Sequence, residues 1–374
     1  MNSVPLSKPY IPSHAIQALE KCLQSGWLGY GPACHTLEKS FTKMHDGWAI
    51  ATSSCTSALY LAAQLLKCPE KDEVIIPAIT FTSTAMAFLS AGYKVRLADV
   101  DPRNLCLDQE KTKALISKRT RAIVVVHLYG QHIDVNHLVK LCRENNIMLI
   151  EDYAHRLTIL DNHAPLGDFA CYSFNAVKEA PGGEGGLIWS RHEEYYPTAQ
   201  TISNVGLGVD TWQRSEILKH KHYEFSKNIG LKLRLNDIAA TLINCSIECL
   251  SETREKRKHI FSQFDNALKS SSDIENIQRH EGDSYLMYVV KLSARINRNI
   301  FRDSLAHLGI ATSVHYPSLS QHLAINSNFS EVENADILSE KVLTLPCFPS
   351  MSTWQIDEVI NAVTTTMEKY EGVS

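Results

Sequence analysis

The chain has 374 residues, 44% of them hydrophobic and 21% charged, and a formal net charge of −4. That balance fits an ordinary globular protein. It excludes a global basic field that would attract nucleic acid or an anionic membrane, and leaves any anionic ligand to local cations and backbone N–H groups. The length points to one large domain plus a smaller one. No apolar run is long enough for a membrane span and the first ten residues carry no signal pattern. Ten cysteines without a CxxC pair read as reduced small core residues of a cytoplasmic protein.

In chain order, 13–23 has helical apolar spacing behind Ser13, a candidate N-cap. Ser25-Gly-Trp-Leu-Gly-Tyr-Gly-Pro32 follows as a loop carrying Trp27 and Tyr30. Short apolar runs predict strands at Glu73–Pro77, Val95–Val100, Ala122–His127, Ile147–Glu151, Ala170–Phe174 and Gly186–Trp189, with helices at 57–66 and 134–145 between some of them. Continuous apolar strands are buried on both faces, as in a helix-covered, mostly parallel sheet. In such sheets functional groups gather beyond the strand C-terminal ends, where His127, Asp152 and Phe174 fall. The stretch 205–235 predicts a long polar and aromatic loop. A helix starts near Asn236, with Ile238, Leu242, Cys245 and Cys249 on one stripe. Beyond it, a strand at Leu286–Leu292, a helix at Ile296–Leu308, a strand at Thr312–Tyr316 and a closing helix at Thr353–Tyr370 predict a small α+β domain.

Three segments carry chemistry. Glu151-Asp-Tyr-Ala-His155 ends an apolar strand with two acids, and a buried carboxylate needs a cationic partner. A protonated pyridine nitrogen is one such partner, although an acid at a strand end more often caps a loop. Ser173-Phe-Asn-Ala-Val-Lys178 precedes a turn with four glycines and Glu184. A lysine reacts with carbonyl carbons when burial lowers its pKa; taken alone, it reads equally as a surface lysine beside a flexible turn. Thr52-Ser-Ser-Cys-Thr-Ser-Ala58 opens a helix with hydroxyl donors, which suits a phosphate as well as a plain cap.

In this order and spacing, the segments resemble the DegT/StrS group of pyridoxal-phosphate enzymes, the sugar aminotransferases of the aspartate aminotransferase fold (fold type I). Ser-Phe-x-x-x-Lys followed by Gly-Glu-Gly-Gly, with Glu-Asp-x-Ala-His upstream, is the specific part, and the likeness spans nearly the whole chain. The resemblance implies an α/β fold with a large cofactor-binding domain over 1–250, including an N-terminal arm at 1–32, and a small α+β domain over 251–374. It implies pyridoxal 5′-phosphate as cofactor, with Lys178 as Schiff-base lysine and proton shuttle, Asp152 on the pyridine nitrogen and His155 beside the ring oxygen. Phe81 would stack on the ring, and Ser54, Cys55, Thr56 and Ser173 would hold the phosphate. Lys232 would serve that phosphate too, where the family often has Asn. The stretch Gly230–Asp237 would enter the neighbouring subunit's site, implying a homodimer with shared active sites. Trp27, Tyr30, Glu184, Arg234, His315 and Tyr316 are the expected substrate contacts. After His155 the family has small residues; here Arg156-Leu-Thr-Ile-Leu160 departs from it, and Arg156 is expected at the surface.

The nearest subgroup acts on nucleotide-linked 4-keto sugars, with a 3-keto sugar as the neighbouring option and L-glutamate as amino donor. Lys219, Lys221, Lys227 and Arg234 are candidate cations for a nucleotide diphosphate, or plain solvated loop charges. A free keto-cyclitol or another non-nucleotide ketone is the serious alternative. A non-catalytic cofactor-binding regulator is disfavoured by Lys178 and Asp152 together. A sugar dehydrase is disfavoured by lysine, rather than histidine, at 178. A cysteine desulfurase is disfavoured by the rigid setting of Cys347.

Overall fold

A computed structural model describes residues 3–161, 164–216, 225–280, 282–325 and 331–371. Two helices open the chain, α1 (His14–Gln24) and α2 (Pro32–Met44). A seven-stranded sheet follows, made of β1 (Trp48–Thr52), β2 (Glu73–Pro77), β3 (Lys94–Ala98), β4 (Thr120–Val126), β5 (Met148–Tyr153), β6 (Phe169–Ser173) and β7 (Gly186–Ser190). Its order is β1-β7-β6-β5-β4-β2-β3. Strands β3, β2, β4, β5 and β6 run parallel, and β7 runs antiparallel between β6 and β1. Helices α3 (Cys55–Leu65), α4 (Thr82–Ser90), α5 (Gln109–Leu115) and α6 (Asn136–Asn145) fall between these strands; α7 (Tyr196–Ser203), α8 (Thr211–Glu216) and α9 (Asp237–Glu248) come after them.

The C-terminal part holds α10 (Leu250–Leu268), a three-stranded sheet of β8 (Ile274–Asn276), β9 (Tyr288–Leu292) and β10 (Val342–Leu345), and helices α11 (Arg298–His307), α12 (Glu333–Ser339) and α13 (Thr353–Glu371). A separate apolar cluster forms there around Phe264, Tyr288, Phe301, Leu343 and Val359, and Val4 from the N-terminal segment joins it through a bridge to Ile310.

The six strands expected between 73 and 189 and the one at 286–292 form, and the large sheet is mostly parallel. Five differences have physical causes. β1 is not among the expected strands: Trp-Ala-Ile-Ala-Thr alternates strand formers with alanine and lacks a continuous run of large apolar residues, yet all five residues are buried at the edge of the sheet. Ser13 makes no cap hydrogen bond and already has helical angles. Thr312–Tyr316 forms no strand; a single bridge joins Ser313 to Thr344, and the chain then bends toward the large sheet. α9 buries Ala240, Ile243 and Cys245 and exposes Ile238. Asp237 sets that rotation by turning inward to accept the backbone N–H of Gly31, Ala33 and Cys34 at 2.9–3.1 Å, which caps α2. Arg156 is buried, not superficial: its guanidinium donates to Gly282 O at 2.5 Å and Asp161 at 2.8 Å. All ten cysteines are unpaired. Among the described residues no helix is long and apolar enough to cross a membrane.

Candidate active site

One edge of the large sheet gathers the expected groups. β1, β2, β4, β5 and β6 end there, and antiparallel β7 begins there, with Gly186 opposite both Ser173 and Thr52. Alternation along β5 sends its two acids to opposite faces. Glu151 turns to a closed network: His127 Nε2 and Tyr153 OH at 2.9 Å, and the Gly167 N–H at 2.7 Å. Asp152 turns to the site. Its carboxylate accepts from Thr84 OH and Ala154 N–H, each at 3.0 Å, and meets Cys55 Sγ at 3.8 Å. None of those three neighbours carries a full charge. Burial raises the Asp152 pKa, opposed by the Ala154 and Thr84 hydrogen bonds.

Lys178 lies past β6, near enough to Cys55 and Asp152 to feel both. Part of its surface is exposed, but its amine sits deep, and burial lowers its pKa to about 8. The next residue, Glu179, fixes the turn. Its carboxylate accepts from Leu157 N–H at 2.5 Å and from Arg254 of α10 at 2.7 and 3.1 Å. Arg254 also reaches Asp161, the partner of Arg156. Arg156-Leu-Thr-Ile-Leu160 is therefore the wall that locks the lysine turn from behind.

His155 is buried, and burial together with the nearby Lys178 holds its pKa well below the usual imidazole range. Its Nδ1 accepts from the Tyr129 backbone N–H at 3.1 Å and its Nε2 meets Tyr316 OH at 3.1 Å. His315 bonds Thr344 through Nδ1 at 2.8 Å, and burial beside Lys178 lowers its pKa to about 4. Phe81 is 55% exposed, tilted against Tyr316 at 5.7 Å, and the two rings line a cavity of about 330 Å³. An apolar ring that a core does not cover is a ready face for a ligand.

At the start of α3, Ser54 caps the helix through Ser57 N–H, Cys55 is buried and Thr56 is exposed. Among the described residues Ser173 Oγ accepts only a long bond, 3.4 Å, from Asn175 N–H. Backbone approaches this turn closely at Gly186, where a Cβ would lie 2.3 Å from Ser54 C and 2.4 Å from Cys55 N. Glu184 is exposed and accepts from Asn175 at 2.9 Å.

Trp27, Tyr30, Lys232 and Arg234 line a second cavity of about 560 Å³, apart from the Phe81–Tyr316 cavity. Arg234 lies over the Tyr30 ring at 4.5 Å and 3.5 Å from Asp210. Tyr30 OH donates to Glu38 at 2.6 Å, and Trp27 packs edge-on against Trp212 at 4.8 Å. Lys227 is exposed; Lys219 and Lys221 lie outside the described residues. Sequence reasoning passed over Tyr129, Thr84, Glu179 and Arg254. Thr84 and Tyr129 sit inside the matching segments, whereas nothing in the sequence links Glu179 to a residue 75 positions away.

Fold and site together define a pyridoxal-phosphate-dependent aminotransferase of fold type I. Residues 9–364 match the model of the DegT/DnrJ/EryC1/StrS aminotransferase family, to which the chain belongs. The spore coat polysaccharide biosynthesis protein SpsC of Bacillus subtilis (strain 168) is 30% identical over 96% of both chains. Spr1654 of Streptococcus pneumoniae in its PLP form superimposes with a TM-score of 0.88 at 25% identity, over 99% of this chain and 100% of that one. DesI, crystallised in the presence of its TDP-sugar product, gives a TM-score of 0.86 at 22% identity over 100% of this chain and 96% of that one, a likeness of fold.

The residues present fit pyridoxal phosphate. A buried carboxylate with neutral neighbours suits a pyridinium nitrogen. A lysine of lowered pKa suits the aldehyde. Phe81 offers a ring face, and the hydroxyl-lined start of α3, approached by the bare backbone of Gly186, suits a phosphate.

Proposed function

We propose that this protein moves an amino group from an amino acid, L-glutamate by family resemblance, to a nucleotide-linked 4-keto or 3-keto sugar. The carrying observation is the second cavity. It brings two cations, Lys232 and Arg234, together with the Trp27 and Tyr30 rings, beside the strand edge that holds the cofactor residues. Cations suit a diphosphate and ring faces suit a base or a sugar. The relative SpsC, named for polysaccharide biosynthesis, supports a sugar, and DesI's TDP-sugar supports a nucleotide carrier. Asp210 beside Arg234 offsets part of the positive charge and favours a second reading, a free keto-cyclitol or another ketone without a nucleotide.

In our reading, Lys178 carries the cofactor and moves a proton at its Nζ, while Asp152 keeps the ring nitrogen charged. Phe81 holds the ring face, and Ser54, Cys55, Thr56, Ser173 and Lys232 hold the phosphate. Pyridoxal phosphate, when bound, supplies the electron sink that lets an amino group pass from one carbon to another. The low-pKa amine of Lys178 can take and return a proton near neutral pH. Trp27, Tyr30, Glu184, Arg234, His315 and Tyr316 orient the acceptor.

We further propose a homodimer with shared active sites, in which the 230–237 segment, and Lys232 and Arg234 with it, serves the neighbouring subunit's site, so that cofactor phosphate and acceptor are held between the two chains. Leu28, Phe225, Ile229, Leu231 and Ile238 support it, because all five are exposed and such apolar surface marks a protein interface. A boundary at 250/251 between a large and a small domain is supported by the separate apolar cluster beyond it. A cytoplasmic location is supported by the unpaired cysteines. A half-reaction screen tests the substrate. The enzyme is loaded with the amine form of the cofactor and offered nucleotide-linked 4-keto and 3-keto sugars beside free keto-cyclitols. The aldehyde spectrum should return with the nucleotide-linked ketones; its return with the free ketones alone overturns the nucleotide-sugar reading.

A further inference from the structure

A helical threonine commonly donates its hydroxyl proton to the carbonyl one turn back, as Thr36, Thr112, Thr241 and Thr366 do in this chain. Thr84, in the first turn of α4, does not. Its Oγ1 lies 3.0 Å from Thr80 Oγ1 and 3.0 Å from Asp152 Oδ2. All three residues are buried. A threonine hydroxyl has one proton, and a carboxylate can only accept. The Thr84 proton therefore goes to Asp152, and Thr80 donates to Thr84. Thr80 Oγ1 has no other hydrogen-bond partner among the described residues, so nothing competes for its proton.

Asp152 is held from three sides: by Thr84 on Oδ2, and by Ala154 N–H and the Cys55 thiol, at 3.0 and 3.8 Å, on Oδ1. Thr84 and Cys55 come from the first turns of α4 and α3, whose N-terminal ends favour a negative charge. The titratable groups that act on the carboxylate are Lys178, Cys55, Cys171 and Tyr316, and of these Lys178 alone is a cation. Burial works against the charge on Asp152, so its hydrogen-bond donors decide how firmly it stays ionised. The same turn carries Phe81, whose carbonyl accepts from the Thr84 N–H at 3.1 Å.

We propose that Thr84, its hydroxyl aimed by Thr80, is a positioning residue that holds Asp152 as an oriented carboxylate and so keeps the proton on the cofactor's ring nitrogen. The proposal rests on the cofactor site put forward above. One proton is shared between Asp152 and that nitrogen. A donor on the carboxylate lowers its basicity and leaves the proton on nitrogen; without the donor the proton shifts toward oxygen. The ring face at Phe81 and the charge of the ring are then both set by one turn, 80–84.

Two measurements on the full chain test it. In the cofactor-free protein, the Asp152 carboxyl is followed by ¹³C NMR with labelled aspartate, assigned by difference with Asp152→Asn. Thr84→Val keeps the shape and removes the donor, so it should raise the Asp152 pKa by about one to two units. Thr84→Ser restores a hydroxyl and should leave the pKa where it was. Thr80→Val should move it in the direction of Thr84→Val by a smaller amount; no shift there overturns the part given to Thr80. An unmoved pKa in Thr84→Val, or an equal shift in Thr84→Ser, overturns the proposal. In the enzyme loaded with pyridoxal phosphate carrying ¹⁵N in the ring, Thr84→Val should move the nitrogen signal toward its unprotonated position, and Thr84→Ser should not. A signal unmoved by Thr84→Val but moved by Asp152→Asn overturns the proposal and leaves the cofactor site standing. A signal unmoved by Asp152→Asn overturns the cofactor site and the proposal with it. If Thr84→Val does not fold, Thr84→Ala takes its place in both measurements.

Discussion

The Lys178 amine should react with aldehydes at a pH where an ordinary lysine is inert. Burial lowers its pKa to about 8. At about pH 7.5 such an amine is neutral in roughly a quarter of the molecules, against roughly one in a thousand for a lysine near 10.5. Only the neutral amine attacks a carbonyl carbon, so the advantage is about 200-fold at that pH. The sign follows directly: the rate should rise as pH increases through about 8 and level off above it, because no further amine is released. Cofactor-free enzyme would be mixed with pyridoxal phosphate over a pH series, quenched early with borohydride, and the modified Lys178 peptide counted by mass spectrometry. A midpoint close to 10 would refute the desolvation argument, and with it the reading of Lys178 as a prepared nucleophile.

Asp152→Asn should retain cofactor but slow amine transfer by about two orders of magnitude, since an amide cannot hold a pyridinium charge; single-turnover absorbance changes would check this. Arg254→Met should cost about 3–5 kcal/mol in urea unfolding, because it strands the buried Glu179 carboxylate. Adding Glu179→Gln to it should recover part of that loss, as the stranded charge is then gone. Gly186→Ala should cost about 1–3 kcal/mol in the same assay, because the new methyl must push Ser54 and Cys55 aside. It should also weaken phosphate retention, read by equilibrium dialysis of the cofactor.

The sequence alone determined a mostly parallel sheet, six of its seven strands along the chain and the candidates at their C-terminal ends. Continuous apolar runs and glycine turns are local signals, and local signals survive in one dimension. The motif around Lys178 and Asp152 was legible for the same reason: each half sits within a few residues of a strand end. The fate of Arg156 was not legible, because a long polar side chain is buried only when distant chain supplies its partners, here Asp161 and Gly282. Nor was the face that α9 buries, which follows from Asp237 capping a helix some 200 residues earlier. The segment 312–316 has strand-forming residues, but a ladder needs a neighbour along its length, and only Ser313 finds one. The setting of His155 lies furthest from the sequence. It depends on a backbone N–H brought to the imidazole from the end of another strand, and only tertiary structure places a donor there.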